Sequence, residues 1–385
     1  IVPGITSALA APAYAGIPIT HRNHNTSFVV ATGHEDPTKS TSSLDFAKLA
    51  NPSQTLVFLM AMANLAQIVA RLREHGLADD LPVAIIREGT KPQQATLIGT
   101  LATIVDDVAR ERFAAPAIVV IGNVVRERIP WFEEGPLFGK RVLVTRPAGG
   151  ADAFVAALWE AGAEPVCAPA IAFEPPDDER AADEGVRYVR AYAWVVFTSA
   201  NGVRAFFERL ARQGGDGRRL GDVRIAAIGP KTAAALEPVG LRADFVASAY
   251  VAETLAAELF AGTRAGDRIL LYRAQEARDV LPQTLRERGR SVDVVAAYKT
   301  VHTRDPEFAA AAAATDVWTF TSASTVAGFM ANVPNATALR EGKIVGCIGP
   351  VAAEAARAAG LAPDVVADEY TSEGLLRALE LVPAG

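Results

Sequence analysis

Two short runs carry the residues in this chain best suited to hold an anion. Val195-Val196-Phe197-Thr198-Ser199-Ala200-Asn201-Gly202 ends a β-branched and aromatic stretch in a Thr-Ser pair, and Thr319-Phe320-Thr321-Ser322-Ala323-Ser324-Thr325 repeats the arrangement. Each pair leads into an amphipathic stretch, Val203 to Leu210 or Val326 to Val333, so each reads as strand, hydroxyl-bearing turn, helix. Such a turn puts the hydroxyls of Thr198, Ser199, Thr321 and Ser322 beside unpaired helix N-terminal N–H groups at the carboxyl end of a parallel sheet, where carboxylates and phosphates bind. Two turns predict one ligand held between two lobes. Arg146 and Arg273 end a second pair of matched runs, Arg141-Val142-Leu143-Val144-Thr145-Arg146 and Arg268-Ile269-Leu270-Leu271-Tyr272-Arg273. A guanidinium at that edge can take a carboxylate through two parallel hydrogen bonds. The same residue types have plainer uses: Ser and Thr cap helices, and an arginine at a strand end is often a solvated surface charge.

Other chemistries are excluded or set aside. His21, His24 and His34 fall near Glu35 and Asp36, but the spacing matches no zinc pattern and no Cys is close, so no metal is expected. Only Cys167 and Cys347 occur, each between apolar residues, which excludes a disulfide framework and fits a reducing cytoplasm. Met60 and Met62 close an apolar run and by themselves read as gap-filling core. Gly135 to Lys140 is one residue short of a P-loop, with Arg141 where Ser or Thr is required, so nucleotide binding is rejected.

The elements that position these residues follow from patterning. At 385 residues, with 50% hydrophobic and 21% charged residues, the chain has the composition of two or three globular domains. A net charge of -6 without long runs of either sign gives no nucleic-acid footprint. Ile1 to Thr20 carry no charge, yet lack a basic n-region, and Pro3, Gly4, Pro12, Gly16 and Pro18 would break a spanning helix; no membrane segment is expected, and the chain reads as beginning mid-domain. Apolar runs at Ser27 to Ala31, Thr55 to Leu59, Pro82 to Ile86 and Ala117 to Ile121 alternate with helical patterns such as Met62 to His75, an α/β arrangement. Residues 134–139 have the Gly, Pro and charge content of a linker. Beyond it each half of a repeat opens a βαβ unit whose helix ends at Gly162 or Gly289. After the Thr-Ser turns come Ala227-Ile228-Gly229-Pro230-Lys231-Thr232 and Cys347-Ile348-Gly349-Pro350-Val351-Ala352, with Ala-rich helices ending at Gly240 and Gly360. Ala252-Glu253-Thr254-Leu255 and Ser372-Glu373-Gly374-Leu375 read as a capped final helix in each half.

Six stretches make the front of the chain resemble the carboxyl half of uroporphyrinogen-III C-methyltransferase: Val2-Pro3-Gly4-Ile5-Thr6-Ser7-Ala8, Gly16-Ile17-Pro18-Ile19-Thr20-His21-Arg22, Thr32-Gly33-His34, Thr55-Leu56-Val57-Phe58-Leu59-Met60, Glu88-Gly89-Thr90 and Gly122-Asn123-Val124-Val125. The resemblance implies that Thr6, Ser7, Met60 and Gly89 line a pocket for S-adenosylmethionine, the cofactor of the complete domain, and it is compatible with a homodimer through this part. The family's amino lobe, with its Gly-rich loop and proposed catalytic carboxylate, has no counterpart here. Half a cleft lacks the orientation that methyl transfer needs, so no methyltransferase activity is expected from this chain alone.

The ordered series of repeat motifs makes residues 138–385 similar to uroporphyrinogen-III synthase. The resemblance implies a truncated methyltransferase α/β lobe over residues 1–133, a linker over 134–139, and a two-lobed α/β synthase over 140–385. Lobe one takes about 140–173 plus 302–385, lobe two about 174–301, and a two-stranded hinge joins them. It implies a linear tetrapyrrole substrate, hydroxymethylbilane, which loses its terminal hydroxyl and closes through a spiro intermediate with ring D inverted, without metal or organic cofactor. The chemistry needs a proton donor for the departing hydroxyl. Tyr298, in Ala297-Tyr298-Lys299-Thr300, matches the family's proposed tyrosine, and a phenol with an ordinary pKa of about 10 stays protonated at neutral pH. The substrate carboxylates fall to Arg146, Thr198, Ser199, Thr232, Arg273, Thr321 and Ser322. Where the family often has Thr after the second Gly-Pro, this chain has Val351-Ala352-Ala353, so one hydroxyl contact is expected to be lost. The rival readings are a two-lobed protein that closes on an anionic ligand without chemistry, set against the synthase by Tyr298, and a catalytically dead fusion.

Overall fold

Strands β1 (Ser27–Thr32), β2 (Gln54–Leu59), β3 (Pro82–Arg87), β4 (Ala95–Thr100) and β5 (Ala117–Ile121) form the first sheet, ordered β1-β2-β5-β3-β4. This is a computed structural model that describes residues 3–34, 44–147, 149, 151–248 and 252–382. β1 runs parallel to β2, whereas β5 is antiparallel to β2 and β3, and β4 is antiparallel to β3. The central strands are buried on both faces, so they read as unbroken apolar runs, and the period of two sorts their side chains. Ala84, Ile86 and Val120 pack with Ala11, Ala15 and Ile17 around helix Ser7–Tyr14. Val83, Ile85, Val119 and Ile121 pack with Ile68, Val69 and Leu72 of helix Leu65–Glu74. β4 has no clear alternation in the sequence because it is a half-buried edge.

The stretch after β5 is tightly folded. Phe132 is fully buried, 4.9 Å from the ring of Tyr14 and 5.5 Å from that of Phe138. Leu137 enters the core of the next sheet and its N–H donates to the Ala161 carbonyl at 3.0 Å. Apolar residues spaced through a Gly- and Pro-rich segment therefore dock it.

β6 (Arg141–Val144), β7 (Glu164–Cys167), β8 (Ile171–Glu174), β9 (Trp194–Phe197), β10 (Arg224–Ala227), β11 (Phe245–Val246), β12 (Arg268–Ala274), β13 (Ser291–His302), β14 (Val317–Phe320), β15 (Ile344–Cys347) and β16 (Val365–Val366) build two further sheets. Their orders are β16-β15-β14-β6-β7 and β11-β10-β9-β12-β13-β8. Matched elements occupy matched places, β14 with β9 and β6 with β12, and all pairings are parallel except β8 with the far end of β13. The internal repeat of the sequence is thus a repeat of the fold. The copies diverge at Pro238: the helix after Gly229 stops at Ala234 and resumes as a 3-10 turn, Glu237–Val239, while its counterpart runs from Pro350 to Ala358.

The chain divides into two compact units, Ile1–Ala168 with Asp305–Gly385, and Pro169–Arg304. The first holds the first sheet and the β6 sheet; the second holds the β9 sheet. No helix among the described residues is long and apolar enough to cross a membrane.

Candidate active site

In the second unit a register slip sets the site. Arg273 pairs with Ala296 but Ala274 pairs with Tyr298, so Ala297 is an extra residue that bulges β13. Bulges re-aim the neighbouring side chain. The Tyr298 hydroxyl lies 3.0 Å from Ser199 Oγ, and that same oxygen accepts the Gly202 N–H at 3.0 Å as the N-cap of helix Ala200–Arg212. The phenol is thereby wired to a helix N-terminus, where the partial positive charge favours developing negative charge. Phe173 of β8 meets the Tyr298 ring edge-on, 5.1 Å between centroids and 76° between planes. Tyr298 is 9% exposed and Phe173 40%. Thr198, beside Ser199, is half-buried.

Two further residues expected to hold substrate carboxylates are buried in this unit. Arg273 is not a solvated charge: it is 6% exposed, ion-paired to Asp279 and donating to the Arg278 carbonyl, with Nε lacking a partner among the described residues. Its guanidinium is committed to the turn that follows β12. Thr232 is buried, 4% exposed, in the short helix Pro230–Ala234.

The other copy, in the first unit, presents Thr321 and Ser322. Ser322 caps helix Ala323–Asn332 in a reciprocal box with Thr325, whose N–H donates to Ser322 Oγ at 3.1 Å and whose Oγ1 accepts the N–H groups of Ser322 and Thr321 at 3.1 and 3.2 Å. Ser324 Oγ adds a 2.8 Å contact to Ser322 Oγ. Sequence reasoning passed over Thr325, although Ser-x-x-Thr is the spacing of a capping box. Arg146, at the end of β6, reaches Ser372 Oγ at 2.6 Å. Thr371, not Ser372, caps the last helix, by accepting the Gly374 N–H at 3.0 Å, which leaves Ser372 for Arg146. Among the described residues no carboxylate lies within ion-pair distance of Arg146; burial presses its pKa down and the charge of Glu373 opposes that. Val351 is exposed, and Gly349 sits so close under Tyr370 that a Cβ there would fall 2.9 Å from Tyr370 Cδ1. Tyr370, 66% exposed, carried no sequence signal beyond its type.

A cavity of about 600 Å³ opens on the first sheet, lined by Ser7, Ala11, His34, Met60, Glu88 and Gly89 among others. Met60 is 64% exposed rather than core, and holds φ 55°. Glu88 and Thr90 are also left-handed, with φ 48° and 75°. Met60 and Glu88 line the cavity, and left-handed backbone at non-glycine residues clusters at ligand sites. Gly89 is needed for close approach, since a Cβ there would lie 2.5 Å from Ala11 Cβ. Thr6 instead caps helix Ser7–Tyr14, its Oγ1 accepting the Ala8 N–H at 3.3 Å. His34 lines this cavity, away from His21 and His24, which gather with Glu127; Glu35 and Asp36 lie outside the described residues.

A repeated parallel α/β sheet whose strands end in capped hydroxyl turns, with a phenol on a bulged strand, defines the class as an α/β protein built from two like sheets. The family described as uroporphyrinogen-III synthase HemD matches residues 152–377, and that described as tetrapyrrole (corrin/porphyrin) methylases matches residues 1–105. The porphyrin biosynthesis protein HemD of Ruminiclostridium josui is 34% identical across 100% of this chain and 77% of its own length. The S-adenosyl-L-methionine-dependent uroporphyrinogen III methyltransferase of Methanosarcina barkeri is 49% identical over 32% of this chain and 49% of its own length, so this chain spans about half of that relative. A solved uroporphyrinogen III synthase of Thermus thermophilus aligns at 24% identity over 62% of this chain and 96% of its own, with a TM-score of 0.44. The chain belongs to the uroporphyrinogen-III synthase family, with a tetrapyrrole methylase segment ahead of the synthase domain.

Proposed function

We propose that residues 140–385 are the synthase domain, that Tyr298 is its general acid on hydroxymethylbilane, and that Ser199 orients that phenol. The bulge at Ala297 with the 3.0 Å Tyr298–Ser199 contact is the observation that supports this. As the terminal C–O bond breaks, the phenol proton leaves with the hydroxyl as water. The substituted carbon of ring D then attacks, the spiro intermediate reopens and recloses, and the proton shed as the ring regains aromaticity restores the phenol. Ser199 Oγ stabilises the transient phenolate while staying anchored to the Gly202 N–H. Arg146 takes a substrate carboxylate together with Ser372: a partly buried guanidinium lacking a carboxylate gains most from an incoming one. Thr198, Thr321 and Ser322 add hydroxyl and N–H contacts at their own turns. The isolated chain, given hydroxymethylbilane made in situ, should yield the type III isomer, read by chromatography; type I alone would overturn the assignment of the reaction to this chain.

In the methylase segment, Ser7, Met60 and Gly89 suit an S-adenosylmethionine site, since the cavity is apolar, sized for a small molecule and bordered by strained backbone. When bound, that cofactor supplies a methyl group on sulfonium sulfur; these residues would hold and orient it. Phe28 and Val30 on edge strand β1 and Ile98 on edge strand β4 are exposed apolar side chains that favour a homodimer through this segment. Two free thiols, Cys167 and Cys347, suit a reducing cytoplasm.

A further inference from the structure

We propose that His21, His24 and Glu127 form a binding site for a first-row divalent cation of zinc's class. One ligand atom from each lies within 4.8 Å of the others. The two imidazoles sit three residues apart on a turn, 5.3 Å between centroids and 37° between planes, and the carboxylate arrives from the end of the 3-10 turn Asn123–Glu127.

The turn that carries the histidines is fixed from beneath. Asn25, 8% exposed, accepts the His21 N–H on Oδ1 at 3.0 Å, while its Nδ2 lies 3.2, 2.9 and 2.8 Å from the Ile19 carbonyl, the Ser27 carbonyl and Thr55 Oγ1. The N–H groups of His24 and Asn25 both donate to the His21 carbonyl, at 2.9 and 3.0 Å. One buried amide thus pins both ends of the five-residue loop that carries the two rings. A fixed backbone beneath the ligating residues is one part of what a metal site needs.

A plain ion pair explains less. His24 Nε2 and Glu127 Oε1 are 2.6 Å apart, which accounts for two of the three groups. It leaves His21 converging on the same point, with the Nδ1 lone pair held only by a 3.4 Å bond from the Asn23 N–H. Zinc–nitrogen and zinc–oxygen bonds of about 2.0–2.2 Å put neighbouring ligand atoms roughly 3.3 Å apart. The His24–Glu127 contact therefore opens by well under 1 Å to admit an ion, and Glu127, with 39% of its side chain exposed, has room to move. Two imidazoles and one carboxylate suit zinc, cobalt or nickel better than the all-oxygen shells of calcium and magnesium. Three protein ligands leave a coordination position for water or an incoming group. Of the arginines beside these ligands, Arg22 is exposed, Arg126 turns toward Asn123 and the Asp80 carbonyl, and Arg128 pairs with Glu133.

Equilibrium dialysis of the full chain against zinc chloride after chelator stripping tests this, with cobalt(II) absorption as the report on coordination. Wild type should take up one ion per chain, raise its melting temperature in zinc, and give the intense visible bands of four-coordinate cobalt. His21→Ala, His24→Ala and Glu127→Gln should each lose affinity by more than the about 10-fold to 100-fold typical of outer-shell partners. Glu127→Gln keeps a hydrogen-bonding group for His24, so it separates metal loss from folding loss. Cys167→Ser should bind as wild type. Uptake unchanged in all three ligand variants, uptake abolished by Cys167→Ser, or a His24→Ala chain that melts earlier with unaltered zinc binding would each overturn the site.

Discussion

Replacing Tyr298 by Phe removes one oxygen and leaves the ring where it packs. The edge-on contact with Phe173 and the place of Tyr298 in the buried cluster with Phe197, Phe206 and Val295 do not depend on the hydroxyl. The one hydrogen bond lost is the 3.0 Å contact to Ser199, whose oxygen still receives the Gly202 N–H and is not orphaned. Such a bond is worth about 0.5–1.5 kcal/mol, so the chain should fold with a modestly lower melting temperature. Losing a positioned general acid costs turnover about 10²-fold to 10⁴-fold, or roughly 3–5 kcal/mol of barrier at 1.36 kcal/mol per decade. The loss should fall on kcat with KM nearly unchanged, the mark of an interaction made only in the transition state. The type III isomer should still dominate, because the groups that place ring D are intact. Coupled turnover with isomer analysis separates the outcomes: wild-type kcat would refute the proton-donor role, and mostly type I product would make Tyr298 a positioning group instead.

Arg146→Gln should raise KM for hydroxymethylbilane and lower kcat/KM by roughly 10-fold to 100-fold, the worth of a charged hydrogen bond; an unchanged KM refutes the carboxylate contact. Tyr272 is fully buried in the second unit, and loss of water pushes its phenol up to about 12 against a smaller opposing pull from Arg209. Because the folded value lies above the unfolded one, the associated stability is complete below pH 10 and drains away as pH climbs toward 12, by roughly 2–3 kcal/mol. Urea titrations at pH 9 and 11 should show Tyr272→Phe losing less than wild type over that interval.

The repeat was legible because two sheets built alike demand like strings: apolar strand, Thr-Ser turn, amphipathic helix. Ser199 and Ser322 could be placed at helix starts for the same reason. What stayed hidden depends on partners that sequence distance disguises. Arg273 looks like Arg146 at its strand end, yet Asp279 claims one and no described carboxylate claims the other. The extra residue at Ala297 leaves no compositional trace, since a bulge exists only relative to the strand beside it. Ser372 was read as part of a cap, but Thr371 one position earlier takes that role. Met60 had the residue type of a core filler and the backbone of a strained turn, and only φ tells them apart. Glu127 stands about a hundred residues from His24 and had no reason to be grouped with it.

The insertion of the second unit into the first carries a consequence for how the chain is made. Residues 169–304 hold every strand of their own sheet, and their two ends meet at the Thr303 N–H and the Ala170 carbonyl, 3.1 Å apart. This unit can therefore close as it emerges from the ribosome. The β6 sheet cannot: β6 and β7 pair early, but β6 meets β14 only after the insert has been synthesised, and the Thr145 hydroxyl bonds the Thr319 carbonyl across 174 residues. Until then Val142 and Val144 have Phe154 and Leu158 beside them but lack the part of their core that Val317, Leu375 and Leu379 supply. Loop closure over that span is slow unless the intervening chain has already condensed. A finished insert with adjoining ends shortens the search, so the middle of the chain, by folding first, brings its own flanks β6 and β14 within reach of each other.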